Sequence, residues 1–105
     1  MIKLSKKVEG NLCTIYVNGI LDYATMEPFN KEIQAIEEGT KKVIINFAEL
    51  EFIDSTGVGS IINLVHEANT KHFEVELDGV SDFIHEILET IGVFQIMETL
   101  QKEGQ

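Results

Sequence analysis

Hydrophobic and polar residues alternate along the first part of the chain. Residues 2–9 and 11–20 both follow a period of two, and Glu9-Gly10-Asn11 between them carries turn-forming residues. This pattern predicts a β-hairpin with strands at about 2–8 and 12–19, Ile15 and Val17 sharing a face. The period then changes. After Gly19-Ile20-Leu21-Asp22, Thr25 offers a helix cap, and Met26, Phe29, Ile33 and Ile36 recur at helical spacing. Pro28 falls in the first turn, where a missing N–H costs little, and Gly39 is placed to end the helix. Lys42-Val43-Ile44-Ile45-Asn46-Phe47 is a short run rich in β-branched residues and predicts a buried central strand.

Beyond Phe47 the pattern predicts a hydrophobic connector through Leu50, Phe52 and Ile53. A second helix follows, with Val58, Ile61, Ile62, Val65 and Ala68 on one face. His72–Leu77 reads as a further strand. A third helix over about 81–91 starts at Ser81 or Asp82, turns Phe83, Ile84, Ile87, Leu88 and Ile91 inward, and ends at Gly92. Val93–Met97 suggests a short last strand, leaving 98–103 at most a turn or two of helix. The order is β-β-α-β-α-β-α-β. Crossover connections through helices make neighbouring strands parallel, so the expected fold is α/β. It is a mixed sheet of four or five strands with its helices mostly on one face, in a single domain over residues 1–105.

Charge narrows the possible partners. A net charge of −10 on 105 residues disfavours nucleic acid and anionic membrane, both of which need a cationic surface. Met1–Lys7 contains no apolar run, and no stretch approaches the roughly 20 apolar residues that cross a bilayer. The single cysteine, Cys13, lies in the alternating segment of Leu12, Ile15 and Val17, so packing accounts for it better than thiol chemistry. One unpaired cysteine and no leader lead to the expectation of a reducing cytoplasm.

The segment Phe52-Ile53-Asp54-Ser55-Thr56-Gly57-Val58-Gly59-Ser60 carries the candidate chemistry. Two readings stand. In one, Ser55 or Thr56 merely caps the helix. In the other, Ser55 is a phosphoacceptor. A phosphate there would sit at a helix N-terminus, add about −1.5 to −2 charges beside Asp54, and be open to another protein across Gly57 and Gly59.

The run from Ile45 to Gly59, Ile45-Asn46-Phe47-Ala48-Glu49-Leu50-Glu51-Phe52-Ile53-Asp54-Ser55-Thr56-Gly57-Val58-Gly59, resembles the signature of the STAS family, which includes bacterial anti-sigma-factor antagonists. Gly19-Ile20-Leu21-Asp22 resembles that family's Gly-Glu-Leu-Asp after its second strand, and Leu88–Phe94 resembles its late Gly-Leu-Phe pattern. The similarity covers about residues 1–97. It implies partner switching: the unphosphorylated protein binds an anti-sigma factor that is also a serine kinase, phosphorylation ends binding, and a phosphatase restores it. Carried over, Ser55 is the acceptor and Thr56 supports the helix start or kinase contacts. Asp54 orients Ser55 or the partner, Gly57 permits the tight turn, and Asp22 lies on an adjacent docking loop; with Val58 and Gly59 these form the expected partner-binding set. Ile20 departs from the usual Glu, and the short tail implies a final helix that is stunted or absent. The expected protein is a monomer or weak dimer. The alternative is a structural subunit of a larger STAS scaffold in which Ser55 tunes assembly.

Other chemistries fit less well. A hydrolase would need a base near Ser55, yet His66 is eleven positions away on the same helix, about 16 Å along its axis. His66, His72 and His85 are not at metal-ligand spacing, and no cysteines accompany them. Gly57-Val58-Gly59 lacks the further glycine or Lys-Ser/Thr of a nucleotide-binding loop. Glu37-Glu38 and Glu49/Glu51 read as solvated faces. The chain is therefore expected to be no enzyme and to hold no cofactor or metal of its own.

Overall fold

A computed structural model describes residues 2–103. The strands are β1 (Ile2–Glu9), β2 (Leu12–Leu21), β3 (Lys42–Ile53) and β4 (Glu74–Asp78), and the helices α1 (Met26–Gln34), α2 (Ser55–Lys71), α3 (Asp82–Ile91) and α4 (Val93–Glu103). The sheet runs in the order β1-β2-β3-β4. β1 and β2 are antiparallel, and the pairs β2–β3 and β3–β4 are parallel. The α/β class, the mixed sheet and the opening hairpin match the sequence pattern.

Alternation builds the core. Cys13, Ile15, Val17 and Leu21 on β2 and Val43, Ile45 and Phe47 on β3 are all buried under the helices. The intervening Thr14, Tyr16, Ile44 and Asn46 are half-buried or exposed on the other face. Phe29 and Ile33 of α1 and Val58, Ile61, Leu64, Val65 and Ala68 of α2 close the core from above. Cys13 is packed within it, and desolvation pushes its thiol pKa up, away from reactive thiolate.

Four local expectations are corrected. The segment Leu50–Ile53 is the end of β3, not a connector. The β2–β3 register slips between Tyr16 and Asn18 and again between Gly19 and Ile20, and β3 carries the extra residue each time. These bulges turn Leu50 and Ile53 inward at a spacing of three, which hides the strand period. Val93–Met97 forms the start of α4 rather than a strand, so the sheet has four strands and the final helix is well formed at 11 residues. In α3 only Ile84 and Leu88 are fully buried and Ile87 partly, while Phe83 and Ile91 remain 55% and 44% exposed. Helix α1 ends at Gln34, with Ala35 as its cap, so Gly39 (φ +94°) belongs to the following loop.

Two contacts tie the upper layer together. Lys71 Nζ donates to the carbonyls of Gln34 at 3.4 Å and Ile36 at 3.2 Å, holding the end of α1 against the end of α2. His85 stacks on Phe94 with ring centroids 4.9 Å apart, joining α3 to α4 across Gly92.

Candidate functional site

Parallel pairing brings the C-terminal ends of β2 and β3 side by side, since Leu21 pairs with Ile53. The loops that leave those ends, beginning at Asp22 and Asp54, are therefore neighbours, at the carboxyl end of parallel strands where α/β proteins place their sites. The backbone seals the junction: Asp54 N–H donates to the Leu21 carbonyl at 3.3 Å.

Asp54 is the N-cap of α2. Its backbone is extended (φ −103°, ψ −176°), and its carboxylate Oδ1 accepts the Gly57 N–H at 2.8 Å. The cap role that the sequence offered to Ser55 or Thr56 thus falls to Asp54. Ser55 becomes the first residue of α2 and is exposed, Thr56 is half-buried, and Gly59 is exposed on the next turn. An exposed hydroxyl at a capped helix start is held in place by backbone it does not itself have to bond.

Gly57 and Val58 lie elsewhere. Gly57 is buried, and a Cβ there would run into the Leu21 carbonyl and within 2.7 Å of Ile53 Cγ1. Its lack of a side chain lets α2 start tight against the end of β2. Val58 is 1% exposed and packs in the core. Neither lies at the surface, so their contribution is to seat the exposed residues around them.

Asp22 organises its own loop. Its Oδ1 accepts the Ala24 N–H at 3.0 Å and the Thr25 N–H at 3.1 Å. The Asp22 N–H donates to Thr25 Oγ1 at 2.9 Å, and that hydroxyl donates to the Ile20 carbonyl at 2.7 Å. Thr25 is buried and makes no side-chain cap to α1; it pins the loop instead. This hydrogen-bonded turn carries Tyr23, whose side chain is 76% exposed. The Asp22–Thr25 turn was legible only in part, because its place next to the end of β3 depends on strand pairing.

A second feature also escaped the sequence pattern. Phe52, three residues before Ser55, is 43% exposed and stacks on Phe83 of α3, with ring centroids 6.4 Å apart. Asp22, Asp54, Ser55, Thr56 and Gly59 are therefore brought together on one end of the molecule, bordered by exposed aromatic rings. His66 lies on α2 beyond reach of Ser55, and among the described residues no group of His, Cys, Asp or Glu is arranged to hold a metal ion. Among those residues, too, no helix is long and apolar enough to cross a membrane.

Comparison with known proteins agrees with this architecture. Residues 3–105 match the family model described as the STAS domain. The anti-sigma-B factor antagonist of Staphylococcus aureus is 27% identical over 84 residues, covering 79% of this chain and 78% of that protein. The protein of the same name from Listeria monocytogenes is 28% identical over 93 residues, covering 87% and 81%. Among solved structures, a putative anti-sigma factor antagonist from Thermotoga maritima superposes with a TM-score of 0.80 at 18% identity, covering 89% of this chain and 81% of that one. The Bacillus cell fate determinant SpoIIAA in its phosphorylated form gives 0.69 at 26% identity, covering 90% and 86%. The same fold also recurs within a longer chain: 70% of this chain matches 18% of Mglu, with a TM-score of 0.64 at 20% identity.

Proposed function

Because the chain belongs to the STAS domain family, we propose that it is an anti-sigma-factor antagonist, a binding module switched by phosphorylation of Ser55. In its unmodified state it binds an anti-sigma factor that is also a serine kinase and so releases a sigma factor. A phosphatase reverses the modification. The observation that carries this reading is the exposure of Ser55 on the first turn of a helix whose cap is supplied by Asp54. The hydroxyl is free of the capping duty that would otherwise bury it, and its position is fixed by the strand ends beneath.

The chemistry of the switch follows from charge. Phosphorylation adds about −1.5 to −2 charges at pH 7. At Ser55 that charge adjoins Asp54 and the Asp22 loop. The N-terminal dipole of α2 favours the phosphoserine within the free protein, whereas like charges across an interface cost several kcal/mol. The modified protein is therefore stable alone and unfavourable in the complex. This chain supplies the acceptor hydroxyl, and the ATP and the catalytic groups belong to the partner.

The test is to titrate the anti-sigma kinase with Ser55→Ala and Ser55→Glu variants by calorimetry. Ser55→Ala keeps the affinity of the unmodified protein within about twofold, and Ser55→Glu loses at least about tenfold. Equal binding by both variants would remove charge as the signal.

A further inference from the structure

Helix α3 is apolar on two sides, and only one of them is used. Ile84 and Leu88 face the core and are fully buried. Phe83, Ile87 and Ile91 form a second stripe at intervals of four residues, with Phe83 and Ile91 among the most exposed large hydrophobic side chains. This stripe lines a shallow groove of about 380 Å³ together with Glu86 and Thr90. Ile91 also borders a second groove of about 490 Å³, between α2 and α4, whose apolar walls are Ile62, Ile96 and Leu100. The two grooves therefore meet at Ile91. Both lead back to the switch serine. Phe83 stacks on Phe52, and Ile62 and His66 lie on the same face of α2 as Ser55 and Gly59, about 10 and 16 Å from Ser55 along the helix axis.

Charge identifies the occupant. Asp82, Glu86 and Glu89 form an acidic stripe on α3 beside the apolar one, and all are exposed. The chain has no arginine, and Lys3, Lys6, Lys7, Lys31, Lys41, Lys42 and Lys71 line neither groove. An apolar stripe edged by carboxylates, on a helix that carries no lysine or arginine of its own, is the complement of an amphipathic helix with basic flanks. A second copy of this chain fits poorly, because its own α3 brings the same carboxylates. We infer that the groove along α3, continuing past Ile91 between α2 and α4, is the seat of a basic amphipathic helix of the partner protein. This rests on the reading of the chain as a partner-binding module and adds a second contact to it. The groove supplies standing affinity, and the Ser55 end supplies the switch.

The test uses the full chain, labelled with nitrogen-15, and a synthetic helical peptide of leucine and lysine about four turns long. Two control peptides carry glutamate in place of lysine, or the same residues in scrambled order. The Leu/Lys peptide is expected to shift the amide signals of α3, of Ile62 and His66, and of the first turns of α4. Its affinity falls at least about tenfold in the Phe83→Ser/Ile91→Ser double variant and stays unchanged in Tyr16→Ser on the open face of the sheet. The Leu/Glu peptide does not bind. Equal binding of the scrambled peptide would overturn the inference, as would shifts confined to the outer carboxylates of β4. Shifts on α3 that depend on protein concentration without peptide would also overturn it, by assigning the groove to a second copy. No nucleotide or kinase is present, so a chain that is never phosphorylated on Ser55 still passes or fails this test on its own terms.

Discussion

Gly57 and Gly59 stand two positions apart at the start of α2 and meet opposite surroundings. A Cβ on Gly57 would strike the Leu21 carbonyl and Ile53, whereas a Cβ on Gly59 would meet open space. Gly57→Ala is therefore expected to destabilise the fold by about 1–3 kcal/mol, since neither a backbone carbonyl nor a packed isoleucine yields cheaply. Gly59→Ala is expected to stabilise it by about 0.5–1 kcal/mol, as alanine does in an open helical position. Urea unfolding of the two variants checks both signs, and a destabilised Gly59→Ala would show that its surroundings are less open than described. The same contrast marks the limit of reading the motif as a string. Asp54-Ser55-Thr56-Gly57-Val58-Gly59 announces a helix start and the serine proposed as acceptor, but says nothing of which members face outward. The structure divides them: Ser55 and Gly59 at the surface, Gly57 and Val58 underneath, and Asp54 holding the cap.

At the scale of elements, the hairpin, the core of β3 and the first three helices were legible because their periods are clean. The failures occur where a period is interrupted. Two bulges in β3 space Phe47, Leu50 and Ile53 by three residues, so the end of the strand looks like a connector even though its pairing with β2 continues to Ile53. Residues 93–97 look like a strand because the window is short and apolar. Val93, Ile96, Met97 and Leu100 are in fact spaced as on a helix, and the Ile96 N–H donates to the Gly92 carbonyl at 3.1 Å. Gly92 is the residue that makes two helices from one apolar run. At φ +87° it ends α3, and its N–H donates to the carbonyls of Leu88 and Glu89. Gly92→Ala is expected to cost about 1–2 kcal/mol by strain alone, because a Cβ there meets nothing closer than 3.8 Å. Thermal unfolding measures this, and an unchanged midpoint would mean that the α3–α4 junction relaxes into a continuous helix. The surplus of apolar residues in α3 is a different kind of failure. Composition shows a helix hydrophobic on more than one side, and only packing shows that Ile84 and Leu88 form the core stripe while Phe83 and Ile91 face out.

Across the whole molecule, the site is a product of topology. Asp22 and Asp54 are far apart in sequence and become neighbours because β2 and β3 are parallel and end together at Leu21 and Ile53. That end of the sheet carries the exposed serine, a loop pinned by Thr25, and aromatic rings from β3 and α3. Lysine and arginine are absent from the chain between Val43 and Thr70 and between His72 and Gln101, while carboxylates recur through both stretches. A neutral serine between loops that begin at Asp22 and Asp54 is a sensitive place to add a phosphate, since its neighbours at the strand ends are carboxylates. The most direct measurement is the intact mass and peptide map of the chain after incubation with ATP in lysate from its source cells, run beside Ser55→Ala. The account predicts one added phosphate, on Ser55, and none on the variant. A chain that stays unmodified, or carries its phosphate on another residue, would contradict it.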